Sequence, residues 1–269
     1  MTEGIKVVCA DLPIDLESIE LVPIGDVHEG EDMFDLDLFD NIIRYVFEKP
    51  NRYVILNGDL LNNAIKTSVS DTYEETSTPE QQIGTIAFRL MQIKNRILAM
   101  GSGNHEERTL KLTGIDPSRY LAVRLGIEER YSNNSFVLFL RFGELREKIT
   151  DKNRPAVYSI FVQHGYGGGK KNGSKLNNLN DSDQIIADAD LYIMGRTHTP
   201  IANVKSTFVC DLRNNKIMRK NKYFLMHNAY LKFGGYGLRY GFSPAANEIT
   251  YATLSIVNGK KRVSLTIGM

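Results

Sequence analysis

Short apolar runs alternate with amphipathic segments of helical length along the first hundred residues of the chain. The runs have the length and composition of buried strands; they are residues 19–24, 53–56 and 97–100. Between them, apolar side chains recur at helical spacing at 38–47 and at 83–91. Thr78, Pro79 and Gln81 form a helix-start signal, with an N-cap, a first-turn proline and a capping-box glutamine. This strand–helix–strand order predicts an α/β sheet.

After about residue 130, strand candidates follow one another with little helix between them. The strand candidates are residues 136–140, 157–162 and 191–194. Only one helix is predicted between them, around residues 183–187. From Ile201 onward the pattern is mostly β, and it ends in a hairpin whose tight turn is predicted at Asn258 and Gly259.

The segments are joined without a linker rich in proline, serine or charge. We therefore expect a single domain over residues 1–269, with a motif-bearing core at about 19–200. The β-rich part at 201–269 is expected to complete a second sheet.

Composition and charge narrow the range of functions. The chain has 269 residues, of which 42% are apolar and 24% charged, as in ordinary globular proteins. Lys and Arg number 33 and Asp and Glu 32, so the formal charge is +1. A nearly neutral chain has no global attraction for nucleic acid or an anionic membrane. Any anionic ligand must be held by a local group of residues.

Two cysteines, Cys9 and Cys210, lie far apart and outside any CxxC pair, which argues against thiolate metal sites and dithiol redox chemistry. Two buried free thiols are expected, with a disulfide between them as the alternative. The N-terminus has no basic and apolar leader pattern. Apolar stretches stay well below the roughly 18 residues of a spanning helix. A cytoplasmic protein without a membrane partner is expected.

Four of the five histidines directly follow apolar runs, and so do three residues with side-chain oxygen ligands. The histidines are His28, His105, His164 and His198, and the oxygen ligands are Asp26, Asp59 and Asn104. In open α/β sheets, ligands bind beyond the carboxyl ends of the strands, so these side chains are expected to meet there. His227 lies outside this pattern and is expected to be structural.

The residue types indicate a metal site. Asp26 and His28 are two residues apart, so in an extended segment their side chains point the same way and can bind one ion. Carboxylate, amide and imidazole ligands together suit Mn²⁺, Fe²⁺ or Zn²⁺. Two such ions roughly 3.5–4 Å apart form a clamp for phosphate-ester hydrolysis.

These residues resemble the signature of the calcineurin-like metallophosphoesterases, which reads D-x-H, G-D, G-N-H-D/E, a lone histidine and G-H-x-H. The matching segments are Asp26-Val27-His28, Gly58-Asp59, Gly103-Asn104-His105-Glu106, His164-Gly165 and Gly195-Arg196-Thr197-His198. They occur in the family's order, between residues 19 and 200. The resemblance implies a four-layer α/β/β/α sandwich of two mixed sheets, and a metal-dependent phosphoesterase.

The resemblance also implies a role for each residue. The implied metal ligands are Asp26, His28 and His198 for the first ion, Asp59 as the bridge, and Asn104 and His164 for the second ion. His105 would stand outside the metals and protonate the leaving oxygen or stabilise the phosphate. A metal-bridging hydroxide would attack phosphorus in line. The expected cofactor is two divalent ions, Mn²⁺ first, with Fe, Zn or Ni as alternatives.

Arg196 departs from the signature, because it stands where the family has a histidine that binds the second metal. A guanidinium stays protonated and cannot coordinate a cation. Three alternatives follow: a weakened second site, a catalytic arginine that directs its fork at the substrate phosphate, or loss of catalysis.

The segment after Asp59 narrows the class of substrate that is expected. Protein Ser/Thr phosphatases have G-D-x-V-D-R-G here, whereas this chain continues with Leu60-Leu61-Asn62-Asn63. That difference argues against a phosphoprotein and favours the phosphodiesterase and nuclease branch. A phosphodiester of a nucleic acid or nucleotide is therefore the expected substrate. The alternatives are a phosphomonoester of a small metabolite, and a non-catalytic binding protein that keeps the fold and one metal.

A segment rich in glycine and lysine follows His164, at residues 165–175. It lacks the spacing of a P-loop. Two interpretations stand side by side: a loop that binds phosphate or nucleic acid next to the site, and a mobile solvated loop.

Overall fold

Two six-stranded sheets form the centre of the fold in this computed structural model. The structure describes residues 4–66, 68, 72, 73, 75–145, 154–234, 238, 241, 243, 244 and 246–268. The strands are β1 (Lys6–Asp11), β2 (Ser18–Ile24), β3 (Arg52–Asn57), β4 (Ile97–Gly101), β5 (Tyr131–Ser132), β6 (Phe136–Leu145), β7 (Arg154–Gln163), β8 (Leu191–Met194), β9 (Ile201–Asp211), β10 (Lys216–Met226), β11 (Thr250–Val257) and β12 (Lys260–Ile267).

Five α-helices are found among the described residues. They are α1 (Leu36–Glu48), α2 (Pro79–Leu90), α3 (Asn104–Thr113), α4 (Pro117–Leu125) and α5 (Asn172–Asn180). Short 3₁₀ turns lie at Met91–Arg96, Glu128–Arg130 and Asp181–Gln184. Helix α2 begins as predicted, because Thr78 and Gln81 form the reciprocal capping box and Pro79 opens the first turn. None of the described helices is both long enough and apolar enough to cross a membrane.

Both sheets are mixed. The first has the order β12-β11-β2-β3-β4-β5, with β2 to β5 parallel, β11 antiparallel to β2 and β12 antiparallel to β11. The second has the order β1-β6-β7-β8-β10-β9 and contains both parallel and antiparallel pairs. Parallel strands place their carboxyl ends at one edge, and the loops that follow β2, β3 and β4 share that edge.

Alternation along the strands divides the core into three layers of packing. Ile19 and Leu21 of β2 face the second sheet, while Val22 and Ile24 face helices α1 and α2. On the far side of the second sheet, a further apolar cluster packs α5 through Leu179. The layers are therefore helix, sheet, sheet and helix, which confirms the four-layer α/β/β/α sandwich of two mixed sheets.

Three details differ from the sequence-based expectations. Residues 201–269 do not all complete the second sheet, because β9 and β10 extend that sheet whereas β11 pairs with β2 of the first. The helix expected at 183–187 lies earlier, as α5, and a 3₁₀ turn at Asp181–Gln184 follows it. Cys9 and Cys210 are free, as expected, but exposed rather than buried. The terminal hairpin does turn at Asn258 and Gly259, both with positive φ.

Candidate metal centre

Five residues of the candidate site hold a left-handed backbone conformation. Their φ angles are 52° for Asp26, 53° for His28, 48° for Asp59, 68° for Arg196 and 55° for His198. The prediction that Asp26 and His28 lie in an extended segment is therefore wrong, because both residues are left-handed. Such a conformation costs a non-glycine residue about 1–3 kcal/mol and concentrates at functional sites. Left-handed non-glycine residues are thus concentrated at the edge of the sheets where the candidate ligands lie.

Hydrogen bonds donated by backbone amides join the loops that carry these residues. The amides of Val27 and His28 donate to the carbonyl oxygen of Asp59, at 2.8 and 3.0 Å. The amide of Arg196 donates to Oδ2 of Asp26 at 2.7 Å. The amide of His105 donates to Oδ1 of Asp59 at 2.9 Å. Each aspartate thus has one oxygen fixed by a backbone amide and keeps the other turned to the centre.

Asp26, His28 and His198 place three ligand atoms around one point. Oδ1 of Asp26 lies 4.0 Å from Nε2 of His28 and 3.6 Å from Nε2 of His198, and the two imidazole nitrogens are 3.2 Å apart. Oδ1 of Asp26 is fully buried and has no hydrogen-bond partner. A buried carboxylate oxygen without a donor is costly unless a cation neutralises it. These three residues fit a divalent ion.

Asp59 lies between two further groups of ligands. Its Oδ2 is 3.1 Å from Nε2 of His164 and 3.8 Å from Nε2 of His105. It belongs to one metal-compatible group with Asp26 and His164, and to another with His28 and His105. Its side chain is thus within reach of ions on either side, the arrangement that a bridging ligand requires.

The second metal position is different, because Arg196 reaches into it. The guanidinium donates to Oδ1 of Asn104, the amide oxygen that a second ion would need. The same oxygen lies 3.1 Å from Nε2 of His164. Asp59, Asn104 and His164 are therefore brought together as the sequence predicts, but Asn104 already has a cationic partner. A second ion does not fit this arrangement unless the arginine withdraws.

Backbone carbonyls orient two of the imidazoles. Nδ1 of His164 lies 2.8 Å from the carbonyl oxygen of Asn57, and Nδ1 of His105 lies 2.8 Å from that of Asn62. Each Nδ1 therefore carries the proton and donates it, which leaves Nε2 turned to the centre. A hydrogen bond donated by Nδ1 fixes the tautomer in which Nε2 can bind a metal or exchange a proton.

The carboxylates and histidines of the site shift one another's pKa values. Burial raises the pKa values of Asp26 and Asp59, but neighbouring histidines outweigh it and hold both well below their usual range. Burial lowers the pKa of His164, but Asp59 and Asp26 outweigh it and raise that pKa to about 10. For His28, burial and the charge of His105 lower the pKa. Without a metal, a proton on His164 therefore neutralises charge that a divalent cation would otherwise neutralise.

Two residues outside the predicted set support the centre. Glu106 is buried, and its carboxylate accepts hydrogen bonds from the backbone amides of Asp59 and Gly103 at 3.1 Å and of Leu61 at 3.0 Å. Its place in the Gly103–Glu106 motif is the sequence signal for this role. Lys175 is also buried, and its Nζ donates to the carbonyl oxygen of Thr197, at 3.2 Å, and to Thr199.

His227, which is expected to be structural, is buried directly behind the candidate ligand Asp26. Its Nδ1 donates to the carbonyl oxygen of Asn228 at 2.9 Å and is 3.6 Å from Oδ2 of Asp26. Gly25 and Gly195 pack against its ring, and a Cβ at either position would overlap the imidazole. The two glycines before Asp26 and Arg196 are the signal in the sequence for this close packing.

The glycine- and lysine-rich segment divides between loop and helix. Residues 165–171 connect His164 to α5, and the rest of the segment forms the first turn of that helix. Lys175 holds the loop that carries Arg196 and His198, whereas Lys170 and Lys171 lie at the surface. The segment is therefore attached to the candidate site through Lys175.

Comparison with known proteins found no matching family model and no matching curated protein. Solved structures similar to the chain include an uncharacterized protein of Streptococcus pneumoniae described as a predicted phosphoesterase, at 12% identity and a TM-score of 0.36, covering 94% of this chain and 91% of that one. Vps29 of Entamoeba histolytica in complex with Zn²⁺ matches at 13% identity and a TM-score of 0.34, over 93% and 99%. Vacuolar protein sorting 29 of Cryptosporidium parvum matches at 13% and 0.35, over 93% and 98%.

Proposed function

We propose that the chain is a metal-dependent phosphoesterase that hydrolyses phosphodiester bonds. The observation that carries the proposal is the buried, unpartnered Oδ1 of Asp26, which faces Nε2 of both His28 and His198. Such a donor set would hold a divalent ion, with Asp59 beside it as a further ligand. When bound, the ion supplies Lewis-acid polarisation of a phosphoryl oxygen and lowers the pKa of a water molecule.

His105 is the group that moves a proton in this proposal. Its Nδ1–H is fixed by the carbonyl oxygen of Asn62, so Nε2 is the free position, and its side chain is 15% exposed at the edge of the centre. Burial lowers the pKa of His105, while the carboxylate of Asp59 opposes the shift. A positioned imidazole with a free Nε2 can exchange a proton with the leaving oxygen.

Arg196 supplies fixed positive charge where the resemblance implies a second ion. Its guanidinium is bound to a neutral amide oxygen, that of Asn104, and among the described residues it has no carboxylate within 4.0 Å. A guanidinium with unused donors can bind a phosphoryl oxygen. This arrangement supports one ion and one arginine in place of two ions.

The segment after Asp59 supports a phosphodiester over a phosphoprotein. Asn62 and Asn63 stand where the phosphatase signature has its aspartate and arginine, and both are buried. Asn62 donates to Glu31 and Glu75, and Asn63 donates to the carbonyl oxygen of His105. These side chains hold the loop together and present no cation to a phosphorylated side chain. A nucleotide or nucleic-acid phosphodiester is the proposed substrate class.

One observation favours a second function, a non-catalytic metal-binding scaffold. If the contact between Arg196 and Asn104 is permanent, the second metal position stays closed and the site can hold an ion without turning over a substrate. Metal content without turnover would be the signature of such a protein.

The deciding experiment measures hydrolysis of bis(p-nitrophenyl) phosphate by metal-stripped protein titrated with Mn²⁺. Turnover that depends on Mn²⁺ and is absent in Asp59→Asn would support the phosphodiesterase. Mn²⁺ binding without turnover of this diester or of p-nitrophenyl phosphate would favour the scaffold. Faster turnover of the monoester would move the proposal to small phosphorylated metabolites.

A further inference from the structure

Arg108 is placed by helix geometry at the candidate metal centre. Helix α3 begins with Asn104 and His105, whose side chains take part in the centre. Arg108 lies four residues after Asn104, and side chains with this spacing share one face of a helix. Long side chains on a helix reach back toward its N-terminus. Arg108 therefore lies on the face of α3 that carries Asn104.

The guanidinium of Arg108 has an unused donor. Its Nη1 is shielded from solvent and has no hydrogen-bond partner, and among the described residues Arg108 forms no ion pair within 4.0 Å. Arg52, a buried arginine elsewhere in the fold, is different, because it binds the carboxylate of Glu20 at 2.7 Å and the carbonyl oxygen of Tyr45. A buried, unsatisfied donor is costly in a fold that offers it no ligand.

The carboxylates that face Arg108 are already engaged. Those whose charge acts on it are Asp59, Glu106 and Glu75, while Arg196 acts with the opposite sign. Glu106 accepts three backbone amides, and Glu75 accepts from Asn62, Gln82 and the amide of Ala64. Asp59 has one oxygen on the amide of His105 and the other next to His164. These acceptors hold the loops together and leave Nη1 of Arg108 free.

We propose that Arg108 and Arg196 form a two-arginine clamp that binds the phosphate group of the substrate, with Nη1 of Arg108 donating to a non-bridging oxygen. Neither guanidinium is neutralised by a carboxylate within 4.0 Å among the described residues. Arg196 contacts Asn104 of the candidate centre, and Arg108 lies one helical turn after Asn104 on α3. Guanidinium forks match the spacing and charge of phosphate oxygens. This inference rests on the proposed function and identifies which residues bind the phosphate.

The test measures binding of inorganic phosphate to Mn²⁺-loaded protein by isothermal titration calorimetry, without any turnover. Arg108→Gln is expected to weaken phosphate binding about 10- to 100-fold, the range for a lost hydrogen bond to a charged group. Arg108→Lys keeps the charge but loses the fork, so its phosphate affinity is expected to lie between those of the wild type and Arg108→Gln. Lys111→Gln is the matched control, since Lys111 lies on the same helix but in an exposed pair with Glu107. The Mn²⁺ affinity is expected to be the same in all four proteins.

Unchanged phosphate affinity in folded Arg108→Gln would overturn the clamp, as would an equal loss in Lys111→Gln. If circular dichroism shows that Arg108→Gln does not fold, Arg108→Lys is read alone, and wild-type affinity in that variant overturns the clamp. Wild-type protein that binds no phosphate also overturns it. Phosphate binding through Arg108 in a protein without turnover supports the clamp and overturns the proposed hydrolase, so the two failures are distinguishable.

Discussion

The guanidinium of Arg196 donates to Oδ1 of Asn104, an amide oxygen that also lies 3.1 Å from Nε2 of His164. A cationic side chain thus takes the place that a metal ion would share with these two ligands. The amide of the same arginine donates to Oδ2 of Asp26, so one residue contacts ligands of both candidate metal positions. Metal binding at the two positions is therefore expected to be unequal.

Arg196→His is expected to raise the number of Mn²⁺ ions bound per chain from one to two, because histidine removes the competing charge and adds a ligand. Metal content after equilibrium dialysis against Mn²⁺ measures the change. Arg196→Gln, which removes the charge without adding an imidazole, is the control and is expected to remain near one ion. A single ion in Arg196→His would mean that Asn104 and His164 do not form a metal site.

Asp59→Asn is expected to abolish turnover and to weaken Mn²⁺ binding, because Oδ2 of Asp59 lies near His164 and His105 and serves the ligand groups on both sides. An amide keeps the volume of the side chain but loses the charge that a divalent ion requires. Calorimetric titration with Mn²⁺ and the diester assay measure the two effects. Full turnover in this variant would show that Asp59 is not a bridging ligand.

His105→Ala is expected to lower turnover by about 10²- to 10⁴-fold, the usual contribution of a positioned acid or base. Its Mn²⁺ content should stay close to that of the wild type, because the proposed role of His105 is proton transfer. Loss of the metal together with turnover would instead identify His105 as a ligand, as its grouping with His28 and Asp59 would allow.

The location of the site could be predicted from the sequence because it depends on local patterns. Apolar runs that end in Gly-Asp or in Gly-Asn-His identify strands and the polar residues that follow them. The rule that ligands bind at the carboxyl ends of strands then brings Asp26, Asp59 and Asn104 together. The structure places all three there. His227 was not expected beside Asp26, because β10 reaches the site only through its pairing with β8.

Two of the helices that were not predicted lack an apolar stripe, and the place of the terminal hairpin depends on distant pairing. Helix α3 buries only Glu106, and α5 buries only Lys175 and Leu179, so neither shows the helical spacing of apolar residues that reveals a surface helix. The terminal hairpin belongs to the first sheet because β11 pairs with β2, more than 200 positions earlier in the chain. The local sequence of the hairpin does not indicate which sheet it joins.

Mn²⁺ affinity is expected to rise about tenfold for each pH unit between pH 7 and 8.5 if binding displaces one proton. The pKa of His164 is raised to about 10 by Asp59 and Asp26 against the effect of burial, so Nε2 carries a proton throughout this range. In metal-free protein that proton stabilises the fold below about pH 6.5, and the stabilisation is lost as pH approaches about 10. Titration calorimetry in buffers of different ionisation enthalpy counts the protons released.

His164→Asn is the matched variant for this dependence, since it offers an amide oxygen in place of the imidazole nitrogen and removes the titrating group. A much flatter pH dependence is expected in that variant. The same slope in both proteins would assign the released proton to another residue.

Glu106→Gln is expected to lower the free energy of unfolding by about 1–3 kcal/mol, the cost of leaving buried polar groups unsatisfied. The carboxylate accepts three backbone amides through its two oxygens, whereas a glutamine amide presents an NH₂ group to at least one of them. Urea denaturation measures the loss. Glu107→Gln is the control, because Glu107 lies next in the chain in an exposed pair with Lys111, and such pairs contribute roughly 0–1 kcal/mol. Equal stability of the two variants would contradict the role of Glu106 in holding the loop of Asp59. If the loss is confined to Glu106→Gln, a weaker affinity for Mn²⁺ should accompany it, since the backbone of Asp59 is then no longer fixed.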